Sequence, residues 1–349
     1  MADNNSTGLT DLTANDDGTT QPAAFTDSGQ LSTAVVQLYI RYALIGIAIF
    51  GIGSNAVVLC ALIVHRAQES KKRDIYLLII NQNLLDLCCC VIMLISMSVK
   101  VTTIYLTGAL GYIVCAIFTN NSLLLCLLNA SVINLMALTV ERYLKVVHSF
   151  WSKKHLKSWM IYAAIVFSWI AGILSVFPIG MTTSFVAQGS CMGFALYWAN
   201  TGLNMGVGTW STVSFFILPM IIFIYCYGRI VVVMRKQMRV MAGHNVQSSA
   251  HNASQAQSQR VKWNIIKTMI IVSAFFSCCW LPWNMHLLLF KAVDLGNTVG
   301  YTVMFLPYVN IALNPFIYAT KYEGVRRILA RMMKCRKRDG VGGVNGGPT

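Results

Sequence analysis

Apolar residues run through most of this chain in long blocks, with polar residues gathered in the gaps. Seven blocks, roughly 38–64, 75–99, 115–140, 158–178, 203–228, 263–290 and 298–319, are nearly free of charge. Each can cross a hydrocarbon core about 30 Å thick, which takes about 20 helical residues. A helix satisfies its own backbone hydrogen bonds, the one open-ended way to do so in lipid. The pattern predicts an all-α integral membrane protein, a bundle of seven transmembrane helices over 38–319. Beyond it, in 320–335, Val325, Ile328, Leu329 and Met332 recur at helical spacing, with Arg326, Arg327 and Arg331 between them. That spacing predicts a short amphipathic eighth helix on the membrane surface. Segments 1–37 and 336–349 are expected to be disordered tails, and the Ser- and Gln-rich 238–259 a flexible loop.

Composition removes the soluble alternative. The chain is 56% hydrophobic and only 11% charged, where soluble domains carry about 25% charged residues. Charge placement then sets orientation. Arg66, Lys71, Lys72 and Arg73 follow the first block; Lys145, Lys153, Lys154 and Lys157 follow the third. Arg235, Lys236, Arg239, Arg260 and Lys262 lie between the fifth and sixth, and the tail is basic throughout. The alternate connections hold little beyond Arg41, Lys100 and Lys291. Cytoplasmic loops are the Lys- and Arg-rich ones, so a multi-pass plasma-membrane protein is expected, N-terminus extracellular and C-terminus cytoplasmic. The net charge of +15 is then explained by topology and anionic lipid, with no nucleic-acid partner. Segment 1–33 has no charged-then-apolar leader, so the first span is expected to direct its own insertion. Asn4 and Asn5 each begin a glycosylation acceptor triplet on that outer tail. Most cysteines fall inside spans; Cys115 and Cys191 fall at outer positions, where oxidation is allowed.

Inside the spans, polar groups are costly and mark function. Asp86 is the clear case, and Glu141 with Arg142 closes the third block. Prolines 178, 219, 282, 307 and 315 free backbone carbonyls and kink helices. Taken in order, the chain carries Asn55 in "GSNAVV", Asp86, "ERY" at 141–143, Trp169, Pro219 with Tyr227, "CWLP" at 279–282 and "NPFIY" at 314–318. One such feature per span, in this order, resembles the rhodopsin-like, or class A, G-protein-coupled receptors over nearly the whole chain.

The resemblance implies roles residue by residue. Glu141 would restrain Arg142 at rest, and Arg142, Tyr143, Tyr227, Asn314, Pro315 and Tyr318 would form the G-protein-coupling switch. Trp280 and Phe276, with Pro219, Pro282 and Val132, would transmit the signal; ordinary aromatic packing accounts for Phe276 as well. Asp86 matches a sodium-site carboxylate, with Asn55, Ser131, Asn310 and Asn314 as polar companions. No cofactor is required, and a structural sodium ion is the single candidate; the alternative for Asp86 is a protonated group bonded to Asn55 and Asn314. Cys115 and Cys191 match the disulfide joining the third span to the second outer loop, and Cys335 is a palmitoylation candidate. Leu124, Trp283, Asn284, Leu287, Tyr301, Met304 and Tyr308 match positions bordering a ligand cavity.

Three departures from the family pattern stand out. Cys115 lies about two residues further from Arg142 than is usual. Lys262 occupies a position often held by an acid that also restrains the arginine, and a base there repels it. Ser149 replaces a proline that often follows the loop histidine. Leu124 stands where amine receptors carry an aspartate, and Tyr308 where visual pigments carry lysine, so neither a monoamine nor retinal is expected. An extracellular ligand of peptide or other neutral or amphipathic kind, a heterotrimeric G protein and membrane lipids are the expected partners. A transporter or channel using the polar residues around Asp86 is the rival reading, weakened by the lack of an internal repeat. Enzyme signatures are absent.

Overall fold

The computed structural model describes residues 24–68, 76–98, 105–192, 201–244, 250–289, 296–321 and 325–331. Among these, six helices are long and apolar enough to cross a membrane: Leu38–Gln68, Leu77–Ser98, Ser122–Val147, Ser158–Thr183, Met205–Val240 and Ile266–His286. The seventh span, Gly296–Lys321, contains a shorter apolar stretch, Phe305–Ile317. The third span lies at the centre. It packs on the second, fourth and fifth, while the first and sixth both pack on the seventh. Within the third, 67% of its most apolar window is buried, against 17% in the fourth, so the fourth offers most of its surface to lipid.

Small residues set the closest approaches. At Gly172 of the fourth span, a Cβ would stand 2.5 Å from the Ala130 Cβ and 2.7 Å from the Cys126 carbonyl oxygen. The two backbones touch there because a hydrogen replaces a methyl, the usual device where lipid offers no hydrophobic drive between helices.

Several boundaries differ from the expected ones. The first helix begins at Ala24 and runs 45 residues, so 24–37 is helical and not a disordered tail. A long apolar span nucleates the helix, and each residue added at its end then costs little; 24–37 contains no proline to stop it. The fifth span continues to His244 and the sixth begins at Ala250, so most of 238–259 is helical and not flexible loop. Met, Arg, Ala and Gln are good helix formers, and 238–259 contains no proline. The amphipathic segment is helical over 325–331, with Val325 and Ile328 buried and Arg326, Arg327 and Arg331 exposed.

The third span is interrupted near the end at which it begins. Gly108–Val114 is α-helix, Cys115–Thr119 winds as a wider π-turn, and the span resumes at Ser122–Val147. The Asn120 amide reaches back to the Cys115 carbonyl at 3.1 Å, and Asn121 is left-handed at φ 58°, which asparagine tolerates better than most residues. The Asn120 side chain holds the break: its oxygen accepts from the Ser122 amide at 3.0 Å and its nitrogen donates to Ser184 Oγ at 2.7 Å. A second π-turn, Val213–Ile217, comes just before Pro219, whose missing N–H prevents the normal bond to the residue four back.

A two-stranded antiparallel hairpin, Phe185–Ala187 (β1) and Ser190–Met192 (β2), closes over the N-terminal end of the third span. Its turn needs positive φ at Gln188 and Gly189, 48° and 77°. Gly189 is also a close approach: a Cβ there would meet the Tyr105 ring at 2.1 Å. The Leu106 amide donates to the Gly189 carbonyl at 2.9 Å, and Leu106 is buried beneath the hairpin.

Candidate functional site

Functional residues gather at three depths. At the C-terminal end of the third span, Glu141 and Arg142 are both buried and paired, Nε to Oε2 at 3.3 Å. Lys145, one turn on, holds the other oxygen of Glu141. An acid between two bases leaves no isolated charge near lipid, which is how an ionic group survives at this depth. Tyr143 points outward from this pair; its hydroxyl meets His148 Nε2 at 3.1 Å. Beyond it the chain forms a short helix, Ser149–His155, with Ser149 as its first residue. On that helix Phe150 is 88% exposed and Trp151 45%. Sequence reasoning did not single out either aromatic; a bulky apolar pair in a basic inner loop was the available signal.

Above the ion pair, Tyr227 is buried, not anchored at the headgroups. Its hydroxyl lies 3.0 Å from Thr139 Oγ1 and accepts from Ser273 Oγ at 3.2 Å, so it joins the third, fifth and sixth spans. From it an aromatic column climbs the bundle. Phe223 packs on Tyr227 at 6.3 Å and edge-on against Phe276 at 5.8 Å, and Phe276 lies 5.5 Å from Trp280. Phe223 is the member sequence reasoning missed. It falls four residues from both Pro219 and Tyr227, hence on one helix face. Val132 and Pro219 are buried, and Pro282 sits inside the sixth helix half-buried, two residues past Trp280.

At the middle of the membrane, Asp86 is fully buried among donors. Ser131 Oγ gives to its Oδ1 at 2.9 Å, Asn314 Nδ2 to its Oδ2 at 3.0 Å, and Gln82 Nε2 to Oδ1 at 3.3 Å. Asn55, expected beside Asp86, bonds elsewhere. Its Nδ2 donates to the carbonyls of Gly51 at 3.0 Å and Ile311 at 3.2 Å. The reason lies four residues on: Pro315 has no N–H to give Ile311, so that buried carbonyl needs another donor. Asn310 is buried one turn above Asn314, and its amide nitrogen meets no partner among the described residues. A cation at Asp86 would need oxygen lone pairs, but N–H and O–H groups already point at both carboxylate oxygens. In this arrangement donors face Asp86, and a sodium ion there would have to displace at least one of them.

The outer residues are partly placed. Leu124 and Tyr308 are buried in the core cluster, and Asn284 donates to the Trp280 carbonyl at 2.9 Å. Trp283 is half-buried, 6.0 Å from the His286 ring. Cys115 and Cys191 form the expected disulfide, Cα atoms 5.3 Å apart. The side chains of Lys262, Leu287, Tyr301, Met304 and Tyr318, and all of Asn4, Asn5 and Cys335, lie outside the described residues.

Comparison with known proteins agrees with this layout. The chain matches the family of seven-transmembrane receptors (rhodopsin family) over residues 54–318. It is 25% identical to rat somatostatin receptor type 4 over 223 residues, 62% of this chain and 55% of that receptor. It is 25% identical to rat galanin receptor type 1 over 212 residues, 59% of this chain and 58% of that receptor. Mouse trace amine-associated receptor 1 is 26% identical over 255 residues, 70% of this chain and 74% of the relative. The chain thus spans a little over half the length of the first two of these relatives. A match to the family over most of the chain, with the motifs seated in one helical bundle, makes this a multi-pass membrane protein and a receptor rather than an enzyme. The chain belongs to the rhodopsin family of seven-transmembrane receptors, class A of the G-protein-coupled receptors.

Proposed function

We propose that this receptor sits in the plasma membrane with its N-terminus outside, binds an extracellular ligand and activates a heterotrimeric G protein. The single observation that carries the reading is the buried Glu141–Arg142 pair at the end of the third span that leads into a basic loop. Buried ion pairs rarely add stability, but one can act as a switch between two arrangements. The aromatic column supplies the linkage. Displacement of Trp280 by an agonist shifts Phe276, and the sixth helix bends at Pro282 so that its inner end swings outward. Tyr227 then exchanges its bond to Ser273, and Arg142 is released toward the partner. Phe150 and Trp151 give that partner an apolar contact beside the opening.

The ligand is a peptide or another molecule that is not a monoamine. Relatives named for somatostatin and galanin support this choice. The relative named for trace amines would favour an amine, but Leu124 provides no carboxylate for one. Peptide, amine and lipid panels applied to cells with a sensor for each G-protein class test the reading. Ligand-evoked G-protein dissociation, abolished by Arg142→Ala at equal surface expression, is expected. Silence across every class together with solute flux would replace it with a transporter or channel.

A further inference from the structure

Gln82 is fully buried, one turn before Asp86 on the second span, and the switch described above does not use it. Its amide nitrogen points at both Asp86 Oδ1, 3.3 Å away, and Ser131 Oγ. Its oxygen accepts from Asn134 Nδ2 at 2.8 Å. Which end of a side-chain amide faces which neighbour must be inferred from the surrounding network. Here the chemistry at the far end of a chain of bonds decides it.

That far end is Trp169 on the fourth span, whose indole N–H can only donate. It gives to Asn81 Oδ1 at 3.0 Å. Asn81 therefore turns its nitrogen to Asn134 Oδ1, at 2.8 Å. Asn134 then turns its nitrogen to Gln82 Oε1, and also to the Leu78 carbonyl at 3.0 Å, a group that can only accept. Reversing any one amide would set N–H against N–H and oxygen against oxygen. The sense of the whole chain, Trp169 to Asn81 to Asn134 to Gln82, is fixed, and it ends with an NH2 group aimed at the carboxylate.

We propose that the Gln82 amide is the resident counter-group of Asp86, and that Trp169 is the residue that positions it. The amide bridges Asp86 and Ser131, the two oxygens a cation would need to share, so the resting core is held together without sodium. Asn314 completes the set from the seventh span by donating to the second carboxylate oxygen at 3.0 Å. The inference concerns what holds the resting bundle and stands independently of the ligand and coupling reading.

The probe is sodium itself. The purified full-length receptor is unfolded thermally in sodium chloride and, at equal ionic strength, in potassium chloride. The wild type is expected to melt at the same temperature in both. Gln82→Leu keeps a buried side chain of similar size but removes the amide, and is expected to gain a sodium-specific rise of several degrees. Trp169→Phe removes the donor that sets the direction and is expected to show a smaller rise of the same kind. A wild type already stabilised by sodium over potassium overturns the proposal, and needs no variant to fold. A Gln82→Leu receptor with equal melting in the two salts overturns the claim that the amide holds the ion's place. No sodium-specific rise in Trp169→Phe removes Trp169 from it.

Discussion

At the scale of single residues, the protein is governed by the cost of leaving a polar group unpaired where there is no water. Glu141 is buried between Arg142 and Lys145. Removing one partner of a buried ion pair costs about 3–5 kcal/mol, and here the cost falls on the resting arrangement. Glu141→Gln is expected to raise ligand-independent G-protein activation several-fold at matched surface expression. By the family resemblance, Lys262 stands on the sixth helix at a position often held by an acid that restrains the arginine matching Arg142. Lys262→Glu is therefore expected to lower ligand-independent signalling, and equal signalling would contradict it. Asn55 answers a different need, the Ile311 carbonyl that Pro315 leaves without a donor. Asn55→Ala orphans that carbonyl, at a cost of about 1–3 kcal/mol. A lower thermal midpoint of the purified receptor would record it.

At the scale of elements, helices meet where side chains allow. Gly172 lets the fourth span lie directly on Ala130 and Cys126 of the third. Gly172→Ala would drive a methyl into backbone and is expected to reduce surface expression sharply. Gly46→Ala serves as the control, since nothing lies within 4 Å of that position, and should be neutral. Element type was legible in the sequence because span length and apolarity are local properties. Helix ends were less so. The extension from Ala24 and those into 238–259 depend on propagation from a neighbouring span, which composition alone does not reveal. The hairpin was missed for a similar reason: two three-residue strands carry too short a pattern to stand out.

At the scale of the whole molecule, one covalent tie couples the outer loop to the central helix. Cys191 anchors the hairpin to Cys115 at the start of the π-turn. A native disulfide commonly contributes about 2–4 kcal/mol. Cys191→Ser is expected to lower the thermal midpoint and weaken ligand response more than basal signalling, because the hairpin loses its seat while the Glu141–Arg142 pair is untouched. Ligand dose–response at equal expression would separate the two effects.

Length and apolarity determined by themselves that this chain is a multi-span helical membrane protein, since both signals are carried within a single span; the receptor reading came from the resemblance that a few polar residues, taken span by span, bear to a known family. The bonds that cross between spans were decided only by the fold. Asn55 was read as a companion of Asp86 and turned out to serve the seventh span's backbone. Gln82, Asn81 and Asn134 looked like ordinary polar residues until packing placed them end to end between Trp169 and Asp86. The physical reason is that a hydrogen bond is settled by distance and direction between atoms up to 258 residues apart in the chain, and no pattern along one helix records which neighbour its side chains will meet.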